Sequence, residues 1–172
     1  MSRYIFSPLL FALFFAANLL AQPGTTTEAD VQLQEVFIDG KQQMLLSNWD
    51  KAAAKFKEVL EKDPRNAAAA YELARVYEAL KKQDEALASA KKSVELEPGN
   101  AWFQMYLADL YQRAGKDRDA AAVYEILVKN DPRNEEYYTK WAYYLVRAGD
   151  PQKAVEIYDR LEKLTGIHEE TT

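Results

Sequence analysis

The residues able to do covalent or metal chemistry are few and poorly placed for it. The one histidine, His168, stands beside Glu169 and Glu170 near the C-terminus. A metal site needs three or four ligands converging on a rigid frame, and a solvated charged tail offers none. Cysteine is absent, which removes thiolate nucleophiles, thiolate ligands and disulfides together. Without an embedded histidine, Ser-His-Asp and Cys-His arrangements lack their base. The glycines are scattered, and Gly40 falls inside a helical stretch, so no glycine-rich loop is available to cradle phosphate. Acidic pairs do occur, at Asp84-Glu85 and Glu135-Glu136. Both open helices, where the N-terminal dipole favours negative charge. The inventory points away from an enzyme and from any cofactor.

What remains is a supply of aromatic residues, eleven Tyr, seven Phe and three Trp, and the elements that position them are set by a repeat. Three turn signals recur, Asp63-Pro64-Arg65-Asn66, Glu97-Pro98-Gly99-Asn100 and Asp131-Pro132-Arg133-Asn134, with consecutive prolines 34 residues apart. A fixed period between 20 and 50 residues marks stacked supersecondary units. Rows of 34 place Gly40, Ala74, Ala108 and Ala142 in one column and Ala52, Ala86, Ala120 and Ala154 in another. Small side chains let two helices approach closely, so each row reads as an antiparallel helix pair crossing at those columns. Large residues surround the crossings: Leu73, Leu107 and Trp141, then Tyr77 and Tyr111, then Phe56, Tyr124 and Tyr158. Asn66, Asn100 and Asn134 are placed to cap new helices. Gly115 and Gly149 suit the left-handed position after a helix, and Asp150-Pro151 reads as a cap followed by proline in the first turn. The pattern predicts eight helices near 31–46, 50–62, 67–80, 84–96, 101–114, 118–130, 135–148 and 151–164. A coiled coil fails because no seven-residue register survives the prolines, and a plain bundle needs no such period.

These rows resemble the tetratricopeptide repeat. The third row matches as Leu107-Ala108, Tyr111, Ala120, Tyr124 and Pro132. The second matches as Leu73-Ala74, Tyr77, Ala86 and Pro98, with Ala90 in the aromatic position. The first is weaker at Asp39-Gly40 and Gln43 but sound at Ala52, Phe56 and Pro64. The fourth has Trp141-Ala142, Leu145, Ala154 and Tyr158, with Gly166 where proline is expected. The resemblance covers residues 33–168 and implies an all-α fold, a right-handed α-solenoid of four stacked antiparallel helix pairs (repeats 33–66, 67–100, 101–134 and 135–168). It further implies a concave groove lined by the first helix of each pair, with Tyr71, Arg75, Glu78, Trp102, Met105, Asp109 and Tyr143 as the protein-binding positions. Phe37 also falls in that set; packing between neighbouring first helices would account for Trp102 and Tyr71 as well as a groove role does, and for Phe37 better. The family's clamp for acidic chaperone tails uses Lys and Asn where this chain has Phe37 and Lys41, Asn where it has Glu72, and Lys and Arg where it has Trp102 and Tyr106, and of these only Lys41 is cationic. That ligand is therefore not expected.

The N-terminus carries an address. Arg3 is the only charge before Glu28, Leu9–Leu20 is almost wholly apolar, and Ala21 precedes Gln22-Pro23-Gly24. These are the three parts of a secretory signal peptide, expected at 1–21, with an uncleaved anchor as the alternative. A polar leader is expected at 22–30, the array at 31–168 and a polar tail at 169–172. The mature chain would be periplasmic or secreted, with no membrane span. Loss of Arg3 leaves 21 basic against 27 acidic residues. That balance lacks the basic stripe that releases counterions from phosphate, and it argues against nucleic acid. The expected role is a non-enzymatic scaffold for a protein or peptide partner. A competing expectation is a structural end-unit of a larger stack, since the last helix (Val155, Ile157, Tyr158, Leu161, Leu164) would show an apolar stripe and allow self-association.

Overall fold

A computed structural model describes residues 27–166. The expected signal segment, leader residues 22–26, the tail 169–172 and His168 lie outside the described residues. Residues 1–34 and 35–172 form two separate units, and the packing described here is that of the second. Among the described residues there are eight helices and no strand: α1 Glu28–Leu45, α2 Trp49–Lys62, α3 Ala67–Ala79, α4 Gln83–Leu96, α5 Ala101–Arg113, α6 Asp117–Asn130, α7 Glu135–Arg147 and α8 Pro151–Thr165. From α2 onward each helix packs on the next. The expected helical hairpins are therefore present, with ends within a residue or so except at the first.

That exception has a local cause. The leader was expected to run to residue 30, but the helix begins at Glu28. Thr27 and Asp30 bond reciprocally, the Asp30 amide donating to Thr27 Oγ1 at 3.2 Å and the Thr27 amide to Asp30 Oδ2 at 2.9 Å. This capping box satisfies backbone donors three residues early. Asn66 and Asn100 cap as expected, accepting from Ala69 and from Trp102 and Phe103 respectively. Each is steered by its own amide, which donates to Asp63 or Glu97. Asn134 makes no side-chain cap, contrary to expectation, and only its carbonyl engages the new helix, at Tyr137. Asp150 caps α8 through the Lys153 amide.

The turn inside each hairpin is built identically four times. Ser47, Lys81, Gly115 and Gly149, spaced by 34, all take left-handed backbone, with φ of 57°, 60°, 69° and 83°. In every case that residue's amide and the next one reach back to the preceding helix, as in Lys81 to Glu78 and Lys82 to Tyr77. These paired bonds satisfy carbonyls that a helix end leaves open.

The two small-residue columns sit at the crossings. Ala52, Ala74, Ala108, Ala120 and Ala142 are fully buried, and Ala86 and Ala154 nearly so. At Gly40 a Cβ would fall 2.9 Å from the Phe56 ring, so glycine there admits a fully buried phenyl. The core then runs without a break from Ala74 to Ile157, through Leu107, Leu127, Tyr137 and Trp141. Each fully buried large aliphatic contributes about 1.5–3 kcal/mol from the water it leaves. Tyr158 departs from the pattern of its column. Phe56 and Tyr124 are buried, whereas Tyr158 is 44% exposed, because no later helix among the described residues covers α8. Val155 and Leu164 are exposed with it, while Ile157 is buried. Arg160 lies over Trp141 and Tyr138, 5.6 and 5.9 Å from the ring centroids.

Candidate functional site

The odd-numbered helices α3, α5 and α7 present one face whose side chains meet across repeats. The contacts join residues 28 to 35 apart, about one period. Same-face positions of successive first helices therefore touch directly. Each pairing follows from the helix period, which returns positions three, four and seven apart to one face.

At the centre, Trp102 Nε1 donates to Tyr71 Oη at 2.8 Å. The Tyr71 ring stacks on Phe103 at 4.9 Å and meets Tyr106 edge-on at 5.0 Å, offset and edge geometries that ring quadrupoles favour. Phe103 is buried and anchors the group, while Trp102 is 64% exposed. Its indole is thus tethered by one hydrogen bond with most of its surface open. Met105 is half-buried beside the same core. The sequence reading placed Tyr71, Trp102 and Met105 on one face, and Tyr71 and Trp102 are in direct contact.

The charged positions divide into two kinds. Glu72, buried, accepts from Lys41 at 2.5 Å and from Arg75 at 2.9 Å. The Arg75 guanidinium also lies 5.8 Å from the Tyr71 centroid. Glu78 accepts from Tyr106 at 2.9 Å and pairs with Arg113. Burial first, and then this bond to Glu78, pushes the Tyr106 phenol far above its ordinary value of 10. Farther along, Asp117 holds Arg147 at 2.8 Å, and Arg147 covers Tyr143 at 5.7 Å. Arg75 is therefore engaged within α3, and Glu78 joins α3 to α5. Phe37, the weaker groove candidate, meets Phe56 edge-on at 5.4 Å. Asp109 is the exception: no described Lys or Arg comes within ion-pair distance of it. It lines a cleft with Gln112, Thr139, Tyr143 and Tyr144.

The cross-repeat polar links, Lys41–Glu72, Tyr106–Glu78, Arg113–Glu78 and Arg147–Asp117, went unread in the sequence as a network. Their separations of close to 34 were a signal that period alone could have supplied. Among the described residues, no three His, Cys, Asp or Glu side chains cluster to hold a metal ion, and no helix is long and apolar enough to cross a membrane.

Two family models described as tetratricopeptide repeat match residues 44–101 and 79–140, together more than half of the chain. The chain belongs to the tetratricopeptide repeat family. No curated protein matches it. Among solved structures, a crystal structure of MamA aligns with a TM-score of 0.64 at 18% identity, covering 78% of each chain. MamA from Desulfovibrio magneticus RS-1, residues 41 to the end, aligns with a TM-score of 0.60 at 20% identity, over 80% of this chain and 77% of that one. At such identities the likeness is one of fold, an all-helical solenoid. Tetratricopeptide repeat proteins are in general non-enzymatic scaffolds, and the repeats support a role in protein–protein interaction for this chain.

Proposed function

We propose that this tetratricopeptide repeat protein grips an extended segment or a helix of a protein partner on the face of α3, α5 and α7, with Trp102, Tyr71 and Met105 at its centre and Arg75, Glu78, Asp109 and Tyr143 around them. The observation that carries the reading is the open Trp102 indole, held in place by Tyr71 and backed by buried Phe103. Aromatic anchors ringed by polar groups dominate binding energies, and a pre-positioned ring loses little freedom on binding. The repeat boundaries 33–66, 67–100, 101–134 and 135–168 belong to the same proposal. So does export after loss of residues 1–21, for which the test is N-terminal sequencing of the protein from producing cells: Gln22 first supports it, and an intact Met1 rejects it.

Phage-displayed random peptides selected on the purified protein supply the ligands for a direct test. Trp102→Ala should weaken their binding about thirtyfold or more, in the range of an aromatic hot spot. An exposed ring with one solvent-accessible hydrogen bond contributes about 1 kcal/mol or less to folding, so the thermal midpoint should hardly move. Early melting with unchanged binding by the folded fraction would make Trp102 a structural residue and remove the anchor.

A second reading is favoured by α8, where Val155, Tyr158 and Leu164 stand exposed. On that reading the protein is a subunit of a larger stack and self-associates through this helix. Light scattering separates the two, a concentration-dependent dimer abolished by Val155→Lys supporting the stack and a monomer at all concentrations opposing it.

A further inference from the structure

The carboxylates that tie one repeat to the next are each satisfied by a cation of this chain, Glu72 by Lys41 and Arg75 and Glu78 by Arg113 between first helices, and Asp117 at the start of α6 by Arg147 of α7. Asp109 stands on the same face without one among the described residues, at the mouth of the cleft it shares with Gln112, Thr139, Tyr143 and Tyr144. Lys140 also lines that cleft, yet makes no ion pair with Asp109. The charge of Asp109 is felt inside the fold. Burial raises the Tyr144 phenol above its ordinary value and the Asp109 carboxylate adds to the shift. Tyr124 is raised by burial, then by Tyr144 and by Asp109, with Glu136 contributing as well. The Tyr143 ring meets buried Tyr144 edge-on at 5.1 Å and has Arg147 5.7 Å from its centroid.

We infer that this cleft is a subsite for a basic side chain, Lys or Arg, of the same partner segment that packs on Trp102, so that the partner carries an apolar and a basic residue together. The inference rests on the proposed binding face and specifies its ligand. Positions 102 and 109 are seven apart on α5, two helical turns and about 10 Å along one face. An extended chain covers that distance in about three residues at 3.3–3.6 Å each. The bound segment should therefore show its basic residue about three positions from its apolar anchor. Planar guanidinium suits a carboxylate beside aromatic rings better than ammonium does, so Arg should outnumber Lys.

The same peptide selection tests this, run in parallel on the wild-type protein, on Asp109→Asn and on Asp109→Lys, each variant first matched to wild type in helical signal and thermal midpoint. Wild type should enrich peptides with Arg or Lys at that spacing from an aromatic or aliphatic residue. Their affinity should fall about threefold to tenfold for Asp109→Asn, the range from an exposed to a partly desolvated charge-assisted bond. Added salt should weaken wild-type binding and leave the Asp109→Asn complex nearly unchanged. Asp109→Lys should select Asp or Glu at the same place. Peptides that require Trp102 but show no basic preference, or bind Asp109→Asn as tightly as wild type, overturn the subsite and leave the binding face standing. Peptides indifferent to Trp102, or no enriched peptides at all, overturn both.

Discussion

Lys81→Gly should stabilise this protein, although it removes a side chain and adds the most flexible residue. Lys81 holds φ of 60°, at the position where the third and fourth repeats have Gly115 and Gly149. A left-handed backbone costs a residue bearing a Cβ about 1–2 kcal/mol. Glycine avoids that cost but gives back about 0.4–1 kcal/mol by loosening the unfolded chain. The Lys81 side chain is exposed and forms no ion pair with a described residue, so its loss subtracts little. The difference is a net gain of about 0.5–1 kcal/mol, a rise of about 1–4 °C in midpoint for a chain of this size. Gly115→Ala is the mirror experiment. A Cβ there meets nothing within 4 Å, so its cost is purely conformational, about 1 kcal/mol. Urea unfolding followed by helical circular dichroism reads both, and an unchanged slope assigns the change in midpoint to stability. Ser47→Gly should behave like Lys81→Gly and add to it, the two sites being a repeat apart. If Lys81→Gly is neutral or destabilising while Gly115→Ala is also neutral, backbone strain does not govern these turns and the argument fails.

Ala120→Leu should lose about 1–3 kcal/mol by overpacking a fully buried crossing, and Ala86→Leu should follow it. Neutral urea midpoints for both would mean the helices do not meet there. Alkali should unfold the protein above pH 10. Tyr106, Tyr124 and Tyr144 have folded pKa values raised above the ordinary 10. Protonation thus favours the fold, its contribution being complete below that pH and lost as pH rises beyond it. Near-ultraviolet phenolate absorbance should arrive in two stages, the second coinciding with loss of helix; a single stage with helix retained would contradict the burial of these rings.

Local chemistry repeated at one period was legible from the residues alone. The prolines, capping asparagines and small-residue columns each constrain a few neighbouring dihedrals or a single contact, and four copies in register turn weak signals into a strong one. The helices, their crossings and the left-handed Gly115 and Gly149 came from that source, while the face carrying Tyr71, Trp102 and Met105 was what the tetratricopeptide resemblance implied. The left-handed turns at Ser47 and Lys81 did not, because neither residue type favours that conformation; the hairpin imposes it. The failed cap at Asn134 depends on a rotamer, and rotamers answer to neighbours the linear chain does not name. The same holds for the polar residues of the candidate face. Arg75, Glu78 and Asp109 are alike on paper, exposed charges at groove positions. Glu72 reaches Arg75 along one turn of α3, whereas only the distance between successive first helices decided that Tyr106 and Arg113 would occupy Glu78 and that Asp109 would be left facing the cleft. Period determined which residues share a face, and helix spacing determined which of them are already engaged.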